Sequence, residues 1–240
     1  VAPVADAATA VADADRLLRG VAGVRALLEV SGLRIATTNL IDGLAHQIAE
    51  LERHLDSDAQ GANALASVEL ERLNAAVVAL KDAVWAVQRD RLRAADGVTG
   101  LLDGVGPVGE AFGPAAVAVA LSIHQALSAL DRLEVRGRDS AGLHLLVRNH
   151  GLDLSSPALS AVFADRAADP LFGSMAVRTP AGHLSFVYKA AAEIGELGDN
   201  TRALRAAIIS DPLLRHALES PDVEAVVLGH TRWASVGIIS

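Results

Sequence analysis

Cysteine is absent from all 240 residues. Disulfides, thiolate metal sites and a thiol nucleophile are therefore excluded within this chain. Aromatics are scarce, at 3% against 51% hydrophobic. Alanine, valine and leucine must fill the interior, which suits helices packed closely through small side chains. Basic charge is in deficit, 21 Lys and Arg against 29 Asp and Glu, which argues against nucleic acid or an anionic membrane surface as partner. The longest apolar run, residues 115–123, is far too short to span a bilayer. No charged n-region, apolar core and cleavage site opens the chain, so a soluble cytoplasmic protein is the default expectation. The chain starts Val1-Ala2-Pro3 without an initiator Met and is expected to be a fragment of something longer.

The first part of what is there reads as helix. Residues 4–19 are alanine-rich and stop at Gly20, and residues 24–35 form a continuous apolar stretch that reads as a second helix. Leu40, Leu44, Ile48, Leu51 and Leu55 recur at three- and four-residue spacing, with Asp42, Glu50 and Arg53 on the opposite side. After the polar turn 56–63, Leu70, Leu73, Val77, Leu80, Val84 and Val87 make an a/d seam. Two such helices predict an antiparallel hairpin, with Trp85 packing beside the seam. Residues 97–114, with their glycines and prolines, read as a linker. The expected division is a helical hairpin or bundle module over 1–100 and a second domain over 101–240.

The second part mixes helices and short strands, so the fold class is α+β. Pro114 suits the first turn of a helix to about Glu134, carrying Val117, Leu121, Leu127, Leu130 and Leu133. Residues 139–142 read as a turn opening a strand over 143–148. Residues 173–178 and 183–189 read as a hairpin around a type I turn at Thr179-Pro180-Ala181-Gly182. Residues 190–197 predict a short helix, and Asn200 a cap for the next one, with Leu204, Ile208 and Leu213 facing inward.

The chemistry concentrates in VVLGHTRWASVG, residues 226–237. A short apolar strand ends at Gly229 and delivers an imidazole, a hydroxyl, a guanidinium and an indole: His230, Thr231, Arg232 and Trp233. Arg232 offers a planar fork suited to a carboxylate, with Trp233 as a stiff wall beside it. The plainer reading is a strand-end Arg in a surface ion pair beside a half-buried Trp. Elsewhere His46, His54, His124, His144, His150, His183 and His216 lack ligand spacing with carboxylates and read as surface or interface residues. Glu193 and Glu196, three apart, read as a solvated helix face. No phosphate-cradling glycine loop or Ser-His-Asp signature appears, and neither metal nor cofactor is expected.

GHTRWAS resembles the GHTRWATHG segment of the glutamine–fructose-6-phosphate amidotransferase (glucosamine-6-phosphate synthase) family. RLEVRGRDSAGL, residues 132–143, resembles that family's RLEYRGYDSAGL, and the two motifs occur in the family's order. Trp233 favours the sugar-phosphate branch over the purine-pathway amidotransferases, which usually carry Tyr there. The resemblance implies a class II, N-terminal-nucleophile glutamine amidotransferase domain: two antiparallel sheets between helical layers, an αββα sandwich of which residues 101–240 would be part. The helical first half would then be an insertion or added module.

In that family an N-terminal cysteine attacks the side-chain amide of glutamine, and its own α-amine, titrating at about 7.7–8.0, serves as base. The ammonia passes to another domain, outside this chain, which aminates fructose 6-phosphate in amino-sugar biosynthesis. The implied substrate-binding residues are Arg232 for the α-carboxylate, Trp233 lining the pocket, Ser235 in place of the family's Thr, Thr231, and Arg136 near the nucleophile. L-glutamine is the implied ligand, and a homo-oligomer is among the expected partners.

Three features depart from the pattern. With no cysteine anywhere, this chain alone cannot perform the family's first step. Val236 stands where the family has His, and Val135 and Arg138 replace two Tyr. Two readings remain: an enzyme fragment, or a non-catalytic interaction or regulatory protein that keeps the fold and uses its helical half as working surface.

Overall fold

A computed structural model describes residues 1–58, 67–103, 113–137, 139–170, 172–191 and 196–233. The chain divides into two compact units, Val1–Asp96 and Gly97–Ser240.

The first unit is helical. Its elements are α1 (Ala2–Leu17), α2 (Gly20–Glu29), α3 (Leu33–Asp58), α4 (Ser67–Ala86) and a π-helical turn, Val87–Leu92, followed by the start of α5 (Arg93–Leu102), which runs on into the second unit. Pro3 sits in the first turn of α1, where its missing N–H costs nothing. The continuous helix expected over 24–35 is broken: Val30 turns extended, and Gly32 adopts a φ of 75° that a side chain would resist. The seam of α4 is buried as its spacing requires, with Leu73, Val77, Leu80, Val84 and Val87 all inside. Its chief partner is α1 rather than α3, so the unit is a bundle and not a simple two-helix hairpin. On α3 the buried face runs through Ile41 and Ile48, while Leu40 is 61% exposed. Trp85 is also exposed rather than packed.

One charge is carried inside this bundle. Asp15 on α1 is 4% exposed and accepts from Arg91 Nε at 2.8 Å and Arg19 Nε at 3.0 Å. Burial pushes its carboxyl up, but the hydrogen bonds from Arg91 and Arg19 outweigh that and hold it below the ordinary value.

The second unit is α+β. The linker expected over 97–114 is helical at its start, because α5 runs on to Leu102; residues 104–112 lie outside the described residues. Then come α6 (Pro114–Leu133), a 3₁₀ turn (Glu134–Arg136), β1 (Ser140–Arg148), α7 (Pro157–Ala168), β2 (Val177–Arg178), β3 (Leu184–Ala190), α8 (Asp199–Ile209), α9 (Pro212–Leu218) and β4 (Glu224–Arg232). Helix α6 with its following turn, Pro114–Arg136, is long and apolar enough to cross a membrane by length and composition, although its apolar core run is short. Half of its most apolar window is buried within the folded protein, the position of a core helix.

The strands form one antiparallel sheet in the order β2-β3-β1-β4. Alternation splits each strand between two faces. Leu143, Leu145 and Val147 of β1 lie level with Tyr188, Phe186 and Leu184 of β3, and all six are at most 1% exposed. Helices α6 and α8 pack against the sheet. Gly229 of β4 permits the closest approach, since a Cβ there would meet Leu130 of α6 at 3.2 Å. The described residues thus form one sheet with helices over one face, and a second sheet is not among them.

Several local expectations change. Ala181 and Gly182 both have positive φ (50° and 77°), so the β2–β3 turn is not type I. The first strand of that hairpin is short because Met175, at φ 72°, interrupts it. Residue 190 is strand, 196 is irregular and 197 is turn rather than helix; Glu193 lies outside the described residues. Gly198, not Asn200, is the N-cap of α8. Glu134, 1% exposed, accepts from the backbone N–H groups of Gly198 and Asn200 and so caps that helix from the end of α6. Leu204, Ile208 and Leu213 do face inward.

Candidate functional site

Sequence spacing ended the last strand at Gly229. In the structure it continues to Arg232, because β1 offers it backbone partners for three more residues than expected. The pairs Ser140↔Arg232, Ala141↔Thr231 and Gly142↔His230 lay the two motif segments side by side, residue against residue. The 139–142 segment is correspondingly not a free turn: Ser140 and Gly142 are already strand.

Side chains directly opposite in an antiparallel pair share a face. Ser140, Gly142, Arg232 and His230 therefore lie on the face away from the helices, and Lys189, opposite Gly142 on the other side, joins them. The row through Gly142 is tight. A Cβ at 142 would stand 2.3 Å from Cε1 of His230, so the imidazole lies across the bare backbone. Gly137, just after the 3₁₀ turn, is in similar contact with Thr231 Oγ1, 2.9 Å from where its Cβ would be. Only glycine allows the turn bearing Arg136 to approach β4 this closely.

Arg136 ends that turn with its side chain exposed, and Thr231 is half-buried in β4. Arg232 is exposed and has no ion-pair partner among the described residues. Trp233, 71% exposed, follows as the first residue after the strand. Ser235 and Val236 lie outside the described residues, as does Arg138. The residues brought together on the open face are thus Ser140, Gly142, His230 and Arg232, with Lys189 beside them, whereas the expected substrate-binding residue Thr231 lies on the opposite face, where the turn bearing Arg136 meets it through Gly137.

One row further along the open face, His144 Nε2 lies 2.8 Å from Ser185 Oγ. The sequence offered no sign of this pair, since the two residues sit on different strands and meet only through the β1–β3 register. Lys189 was missed for the same reason. A small cleft lined by Leu101, Ile123, Ile208 and Leu214 lies among the helices and presents no reactive group.

On the covered face the interior carries its own polar network. Tyr188 donates to Asp211 Oδ2 at 2.8 Å, and Arg166 grips the same carboxylate through Nη1 and Nη2 at 2.9 and 2.5 Å. Asp211 also accepts from the N–H groups of Leu213 and Leu214 at the start of α9. All its lone pairs are used, so the network is structural.

The chain was compared with protein-family models, with curated proteins and with solved structures, and none of them matches it.

Proposed function

We propose that this chain is part of a class II glutamine amidotransferase domain of the glucosamine-6-phosphate synthase type, and that the corner between β1 and β4 recognises the α-carboxylate of L-glutamine. The observation that supports this reading is the register Ser140↔Arg232. Two motifs separated by most of the second unit in sequence become neighbours, as a shared substrate site requires. Arg232 has the geometry for a bidentate carboxylate bond, and no carboxylate of the described residues neutralises it.

The αββα sandwich belongs to the same proposal; its described part is one sheet with helices on one face. The reaction would release ammonia for transfer to fructose 6-phosphate in a domain outside this chain, with the thiol nucleophile supplied from outside these residues. Binding, not turnover, is therefore the property to measure.

Titration of L-glutamine into the chain, followed calorimetrically and by Trp233 emission in a Trp85→Phe background, tests the reading. Binding that Arg232→Ala weakens about tenfold or more, as loss of a charge-assisted pair of about 1.5–3 kcal/mol requires, with an unchanged far-UV spectrum, is the expected result. Glutamine binding indifferent to Arg232→Ala removes the assignment. The interaction-protein reading has one observation in its favour, the exposure of His230, Arg232 and Trp233, and predicts no glutamine binding at all.

A further inference from the structure

The chain leaves β1 at Arg148 and turns back through two residues of positive φ, Asn149 at 56° and Gly151 at 67°. Between them His150 is only 8% exposed. Its Nδ1 accepts the backbone N–H of Leu152 at 3.1 Å, and its Nε2 lies 2.9 Å from the carbonyl oxygen of Gly182. One imidazole thus ties its own loop to the β2–β3 turn, 32 residues further along the chain.

That geometry fixes the chemical form of the ring. A backbone N–H can only donate, so Nδ1 must carry a lone pair and Nε2 the proton, which it gives to Gly182. The other neutral tautomer and the imidazolium each set a ring N–H against the N–H of Leu152. Imidazoles take up their second proton between about pH 5 and 8.

We propose that His150 is a proton-operated clasp. Neutral, it shuts the loop onto the turn; protonated, it releases Leu152 and lets the two part. The turn is poised to move. Exposed Ala181 sits at φ 50° beside Gly182 at 77°, a left-handed conformation that a β-carbon resists. Besides the clasp, a bond from the His183 N–H to the Pro180 carbonyl, at 2.9 Å, keeps its shape.

The charged groups around the ring are engaged elsewhere. Asp153 of the same loop accepts from Ser155, and His183 Nδ1 on the turn lies 3.1 Å from the Pro180 carbonyl. At the strand ends Arg148 and Asn149 hold Glu224. Before β4, Glu219 lies 3.5 Å from His216 and Asp222 is exposed. None of these bonds His150, so an imidazolium there gains no counter-charge from them.

The clasp closes the end of the sheet away from Arg232, beside the fully buried pair Val147↔Leu184. It does not rest on the glutamine reading. Ring nitrogen chemical shifts and amide exchange of the isotopically labelled full chain, at about pH 8 and about pH 5, test it. At the higher pH His150 should show the Nε2–H tautomer, and the Leu152 amide should be protected. At the lower pH, exchange at Leu152, corrected for its intrinsic pH dependence, should rise roughly tenfold or more. The sheet amides of Leu145 and Phe186 should stay as they were. His150→Phe should leave Leu152 unprotected at both pH values. An Nδ1–H tautomer at the higher pH, or equal Leu152 protection at both, overturns the proposal. So does an acid response that survives His150→Phe or is shared equally by Leu145 and Phe186.

Discussion

Gly142 lies beneath the imidazole of His230, with only 2.3 Å between Cε1 and the place a Cβ would take. This cross-strand contact welds the two motif segments into one corner, and it explains why the β1 side of the pair has no side chain. Gly142→Ala should displace the ring rather than unfold the sheet, because His230 is exposed and can swing away. The expected cost is about 1 kcal/mol or less, together with loss of whatever ligand affinity the corner has. Chemical shifts of His230 alongside a urea midpoint separate the two effects.

Tyr188 is the sole tyrosine of the chain, so tyrosinate absorbance reports on one buried hydroxyl. Burial, then the adjacent Asp211 charge and the hydrogen bond donated to it, push its pKa well above the usual value near 10. The native protein should show no tyrosinate where an ordinary tyrosine titrates, about pH 10, and the signal should appear only with unfolding. The sign follows: a raised folded-state pKa stabilises fully below about 10, and that contribution is lost as pH rises beyond it. A smooth native titration near pH 10 would contradict the buried hydrogen bond.

Asp211 ties α7, β3 and α9 together through Arg166, Tyr188 and its own helix cap. Asp211→Ala leaves the partly buried Arg166 guanidinium without its carboxylate and removes the α9 cap, and should cost about 3 kcal/mol, whereas Tyr188→Phe should cost about 1–2 kcal/mol. Chemical denaturation of both variants checks the order, and equal losses would show that the carboxylate is not the hub.

Asp15 makes the helical unit acid-sensitive. Its folded-state pKa is depressed, so its stabilisation is present above the unfolded value of about 3.9 and disappears as pH falls through the folded one. Helical signal should become easier to unfold with urea below about pH 4. Asp15→Asn should lower the midpoint at neutral pH and flatten its acid dependence. An acid limb of unchanged slope in that variant would assign the effect to other carboxylates.

Helical periodicity was legible wherever one side of a helix faces a core. The α4 seam and the inward positions Leu204, Ile208 and Leu213 follow from 3.6-residue spacing alone. Leu40 was misplaced because α3 has apolar residues at both 40 and 41, and spacing cannot choose between adjacent candidates. The break at Val30 to Gly32 was missed because apolar continuity hides a turn. The strand end at Gly229 was misjudged because strand length depends on how far a partner runs, which local sequence does not record.

Taken alone, the amino-acid order determined most helix faces, the lack of cysteine in the chain and the two motif segments. These are local properties, set by side-chain type and period. Tertiary structure decided that the motifs are neighbours, that α4 packs on α1, and that His144 reaches Ser185. Each of these depends on strand register or on helix choice among several apolar faces, and such pairings are settled only when distant segments compete to bury the same surface.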